Sequence, residues 1–159
     1  MLKSALLALT LLGGVPVLAA ATPAAAVALA PAAQLKALFH ESDEAQIKRN
    51  PISALFRGDP RYADRFGDYI SDAYYAAERQ AAVDDLAALA KIDRSALGTE
   101  DRISYDTFKW QRTTDLKGYD PALLRTQTDR PIDHFSGFQT LMPDLSSGEG
   151  AAPFKTVAD

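Results

Sequence analysis

Arg57, Arg61 and Arg65 recur at four-residue steps and are the side chains in this sequence best suited to grip another molecule. A planar guanidinium matches a carboxylate with paired donors, so the set suits a carboxylate on a substrate or partner. The acids of the same stretch, Asp59, Asp64 and Asp68, lack the alternation of an EF-hand loop and read as turn formers and arginine partners instead of calcium ligands. His40 and Glu44 stand four apart on a predicted helix, where two ligands could share a face. The zinc pattern H-E-x-x-H needs a second His where this chain has Glu44, so a solvated helix face is the better reading. His134 beside Asp133, with Ser136 following, collects three triad residue types in one loop, but neighbours in sequence rarely point the right way for a triad. The chain shows no nucleophile elbow, no Gly-rich phosphate loop after a strand and no Cys cluster. No catalytic, cofactor-binding or metal-ligating residue is assigned; Arg57, Arg61 and Arg65 are kept as a candidate substrate or partner surface.

The elements that must position these residues read as all-α. Ser71 to Leu116 forms the scaffold, two amphipathic helices joined by the short connector Ile92 to Gly98 and therefore antiparallel neighbours. Ser71 is the N-cap candidate of the first, and Tyr75, Ala82, Leu86 and Leu89 make its apolar stripe. Thr99 is the N-cap candidate of the second, with Glu100 and Asp101 in its first turn and Gly118 ending it. Tyr105, Phe108 and Leu116 form one face of that helix and Ile103, Thr107 and Trp110 another, so it is expected to be covered on two sides within a larger helical assembly. Trp110 and the Tyr74–Tyr75 pair read as core or rim aromatics, not a ligand platform.

A first helix is expected from Ala32 to Arg49, burying Leu35, Leu38, Phe39 and Ile47. Asn50-Pro51 breaks it, because a residue before proline avoids the helical region, and Asn50 then caps a short helix Ile52 to Arg57 that Gly58 stops. Gly58 to Tyr69 reads as a loop packing Tyr62 and Phe66. Beyond Gly118, Pro121, Pro131, Pro143 and Pro153 punctuate an apolar segment, which predicts short helical turns joined by ordered loops. Thr156 to Asp159 has the spacing of a capping box, and the helix it would open lies past the last residue, the pattern of an incomplete helical domain.

The first 21 residues read as a secretory signal peptide: Lys3, an apolar run from Ala5 to Leu18, then the small residues Ala19 to Ala21. The run falls short of a membrane span and contains Gly13, Gly14 and Pro16. An Ala/Pro-rich linker, 22–33, follows as a tether to the helical domain, 34–159. The expected location is periplasmic or secreted. Absence of Cys leaves the fold without disulfides in that oxidising compartment. A formal charge of −4 without a basic run gives no support for nucleic acid or an anionic membrane as partner.

The ordered series NPISALFRGDPRYADRFGDYISDAYYAAERQ, LAALAKIDRSALGTEDRISYDTFKWQ, DHFSGFQTLMPDL and PFKTVAD resembles the N-terminal region of the bacterial family called domain of unknown function 885, over roughly Leu35 to Asp159. The resemblance implies a large, mostly helical, exported protein with a later segment like H-E-x-x-H of zinc metallopeptidases, in which two His hold zinc and the Glu activates its water. None of those residues can be placed here, since the chain holds only His40 and His134. The resemblance therefore implies zinc for a C-terminal part that is not in this sequence, and no cofactor for this chain. It makes that part the chief partner, with a peptide as the substrate class and the helices here as scaffold or cleft wall. The alternative is a self-contained periplasmic helical binding or interaction module without catalysis.

Overall fold

The computed structural model describes residues 29–128, 135 and 137–157. The signal peptide, most of the linker, His134 with Asp133 and Ser136, and the end of the capping box lie outside the described residues. Among those described there are six α-helices and no strand: α1 (Pro31–Arg49), α2 (Pro51–Phe56), α3 (Asp72–Leu89), α4 (Thr99–Gly118), α5 (Pro121–Thr128) and α6 (Phe138–Ser146). The all-α expectation holds.

Helix α1 starts at Pro31, whose missing N–H costs nothing in a first turn, so the end of the expected linker is already helical. Its apolar residues Leu35, Leu38 and Ile47 are buried as expected. The break at Asn50-Pro51 is real, but Asn50 makes no side-chain cap on α2. The Ile52 amide donates to the Tyr69 hydroxyl at 2.9 Å, while Asn50 Oδ1 accepts from the Tyr74 hydroxyl at 2.8 Å. A tertiary contact has taken over the capping role. Gly67, at φ +91°, lets the loop close on Pro51: a Cβ there would come within 2.8 Å of the proline ring.

Ser71 caps α3 as expected, its hydroxyl accepting from the Tyr74 amide at 3.1 Å. Helix α4 differs by one residue: Gly98 occupies the N-cap and Thr99 lies inside the helix without a capping bond.

Helices α1, α3 and α4 run up, down and up. Ser42 meets Asp85 and Arg49 meets Glu78 between α1 and α3, and Arg112 on α4 meets Asp85 on α3. The apolar core lies at the end of this layer formed by the start of α1, the end of α3 and the connector: Leu35, Leu38, Leu89, Ile92, Leu97 and Tyr105, with Phe39 and Phe108 packed against it at 4.9 Å between ring centres. Toward the other end polar contacts join the buried Ile47, Ala54, Tyr75 and Ala82. Beyond Tyr119 the chain forms α5 and the proline-containing α6, in keeping with an interrupted apolar segment.

Candidate functional site

The loop after α2 folds back on α1, and that contact decides what the three arginines can do. Arg57 donates to both oxygens of Asp43, at 2.7 and 3.0 Å. Arg61 donates to both oxygens of Glu44, at 2.7 and 2.8 Å, and also engages Asp59, which caps the 3₁₀ turn Pro60–Tyr62. Adjacent acids on α1 thus take one paired contact each, and together they clamp the loop to the helix. These hydrogen bonds hold the Asp43, Glu44 and Asp59 carboxyls below the usual carboxylate range.

Arg65 is placed differently. Its Nε lies 3.8 Å from Asp64, its guanidinium rests 5.7 Å from the Tyr62 ring centre, and its side chain is 58% exposed. The cation is supported by an aromatic face while much of its donor fork stays open to solvent. The structure therefore splits the three-arginine surface into two structural clamps and one accessible cation.

Beside this loop runs a groove of about 650 Å³ between α2 with its following turn and residues 150–155, walled by Leu55, Phe56, Pro60, Ala63, Pro153 and Phe154. Phe56 and Phe154 are more than half exposed. The groove's charged lining residues are Asp64 and Lys155, and Arg65 follows Asp64 in the chain without lining it, so the trough suits an extended, partly apolar molecule. It contains no nucleophile with a base beside it.

Zinc does not fit the described residues. Glu44 is committed to Arg61, so His40 and Glu44 are not available as a ligand pair. No group of His, Asp and Glu among the described residues could hold a metal ion. Asp59 serves Arg61, and Asp68 accepts from the Ile70 and Ser71 amides and from the Ser71 hydroxyl, so these acids do turn and pairing work. Tyr75 is buried, as a core aromatic should be, whereas Trp110 is 70% exposed and is not a core residue.

Sequence reasoning missed the polar seam of the three-helix layer. Glu78 Oε1 accepts from Arg49 Nε at 2.6 Å and from Asn50 Nδ2 at 3.3 Å. Asp85 Oδ2 accepts from the Ser42 hydroxyl at 2.6 Å and lies 3.4 Å from Arg112 Nε, which makes no hydrogen bond. Arg112 turns another nitrogen to Asp115 at 3.1 Å and stacks over Phe108. Burial holds the Asp115 carboxyl up and, with the nearby Glu78 charge, pushes the Tyr119 hydroxyl up to about 12. Ser42 and Arg49, like Glu78 and Asp85, are seven apart and share a helix face; that spacing is the signal the sequence offers.

The described residues thus form a helical layer with an interhelical polar seam and an apolar groove at its side. Residues 51–159 match the family model described as bacterial protein of unknown function (DUF885), and the chain belongs to that family. No curated protein and no solved structure matches the chain.

Proposed function

We propose that this chain is the N-terminal helical scaffold of an exported, zinc-metallopeptidase-like protein, and that it forms a wall of the substrate cleft without supplying the zinc site. The observation that carries this reading is a family match over residues 51–159 in a chain that has two His and no H-E-x-x-H. The chain's own part is to present the groove lined by Phe56 and Phe154, with Arg65, on the loop that forms one wall, as the cation for a substrate carboxylate. Arg57 and Arg61 hold the loop that carries Arg65. The leader-like residues 1–21 support export, and the chief partner is a C-terminal helical part carrying the metal ligands.

Zinc content and peptide hydrolysis of the purified full chain test this reading. The expected outcome is no bound zinc after gel filtration and no cleavage of a peptide library. Stoichiometric zinc, or hydrolysis that a chelator stops, would overturn it.

The second reading, a self-contained binding module, draws on the same groove and on the chain's own apolar core. A single sharp urea transition for the isolated chain would favour it, because a severed piece melts broadly or aggregates.

A further inference from the structure

The core-facing side of α4 is committed to α1 and α3 through Tyr105, Phe108 and Arg112. The opposite side carries Glu100, Ile103, Thr107, Trp110, Thr114 and Lys117, all exposed. Ile103 is 58% and Trp110 70% exposed, so this stripe is the helix's second apolar face; Ile103 and Thr107 also edge a groove against Phe39, Ser42, Asp43 and Gln46 of α1, while Trp110 lies beyond it. An aliphatic and an indole held in water on one rigid helix face mark an interaction surface.

We propose that this face is a homodimer interface on which a second copy of the chain lays its own α4 antiparallel. The order of residues along the stripe is self-complementary. Centring a two-fold axis between Thr107 and Trp110 puts Glu100 opposite the partner's Lys117 at each end, Ile103 opposite the partner's Thr114, and Trp110 opposite the partner's Thr107. Glu100 and Lys117 are exposed and have no ion-pair partner within the described part of the chain, so both are open to such a contact. A parallel arrangement would stack Glu100 on Glu100 and Lys117 on Lys117, which like charges oppose. At 1.5 Å per residue the charged ends lie roughly 26 Å apart, and the two indoles fall within about 5 Å of each other along the axis. Their place at the centre is where binding energy concentrates in an interface. An isologous contact of this kind closes on itself and yields a dimer, not a filament. One helix pair is a small interface, so the affinity is in the roughly micromolar range. The C-terminal helical part proposed above as the chief partner is the competing occupant of this face, and a chain that stays monomeric would favour it.

Sedimentation equilibrium of the full chain over a concentration series tests the proposal. Trp110 is the chain's only tryptophan, so its emission reports the same interface directly. The expected result is a concentration-dependent dimer with a blue shift in emission. Trp110→Ala should weaken association at least about 50-fold, and Glu100→Lys or Lys117→Glu alone roughly tenfold at low salt. The double variant Glu100→Lys/Lys117→Glu should recover the dimer, because it restores both end pairs in reversed sense. Far-UV circular dichroism checks that each variant keeps its helices. A chain that stays monomeric at about 100 μM, well above a micromolar constant, would overturn the proposal. So would a dimer insensitive to Trp110→Ala, or single charge reversals that the double variant fails to rescue.

Discussion

Replacing Glu78 with Ala should cost about 2 kcal/mol of stability, a figure set by where the carboxylate sits between α1 and α3. Its Oε1 takes Arg49 Nε at 2.6 Å and Asn50 Nδ2 at 3.3 Å, and the side chains of Glu78 and Arg49 are only 14% and 25% exposed. A hydrogen bond to a charged group contributes roughly 1.5–3 kcal/mol, and stranding a fully buried charge costs about 3–5. Arg49 keeps some access to water, which brings the cost below the buried limit. Loss of the Glu78 charge also relieves the Asp115 carboxylate, which burial and then the Glu78 charge push up, and this offsets part of the penalty. Urea denaturation followed by far-UV circular dichroism should show the midpoint falling by roughly 1 M. Arg49→Ala, Glu78→Ala and the double variant complete a cycle, with an expected coupling of at least about 1 kcal/mol. A single-variant cost under about 0.5 kcal/mol with additive effects would mean that the pair behaves as an ordinary surface contact, and the reasoning would fail.

Leu35→Ala removes a side chain with no solvent exposure from the centre of the core and should cost about 3 kcal/mol, read in the same urea experiment. Ser71→Ala removes the hydroxyl that caps α3 and should cost about 1 kcal/mol; an unchanged midpoint would contradict the cap. Acidification should destabilise the chain. Asp43, Glu44 and Asp59 titrate lower folded than unfolded, so their contribution is present above the unfolded carboxylate values and is lost as pH falls below them. Asp68, Asp93 and Asp106 are held low as well, and Asp115, held up by burial, works in the opposite sense as one group against six among the described residues. The urea midpoint should be lower at about pH 3.5 than at about pH 6, and Arg57→Gln/Arg61→Gln should shrink that difference. An equal acid loss in the double variant would refute the clamp as its source.

Features that depend on neighbours along the chain are legible in the residues themselves. Ser71 caps α3, Pro51 restarts a helix, and of the stripe Tyr75, Ala82, Leu86 and Leu89 all but the half-buried Leu86 are buried, because each follows from local geometry or helical period. Features set by contacts between elements are not. Asn50 has the composition of a cap, but the fold spends its side chain on Tyr74 and Glu78 and lets Tyr69 satisfy the Ile52 amide. Arg57, Arg61 and Arg65 look equivalent in sequence, and only the return of the loop onto Asp43 and Glu44 separates the clamps from the accessible cation. The two-sided apolar pattern of α4 is a matter of helical period, while the exposure of Ile103 and Trp110 follows from which of its faces the packed layer takes.

The proposed function places these helices at the front of a longer metal-dependent protein whose zinc site lies elsewhere. Reading the coding DNA in frame past the Asp159 codon tests it most directly. The scaffold reading predicts an uninterrupted frame that encodes H-E-x-x-H and a further acidic ligand within a helical sequence. A stop codon directly after Asp159 would contradict it, leaving either a small binding module or a decayed gene.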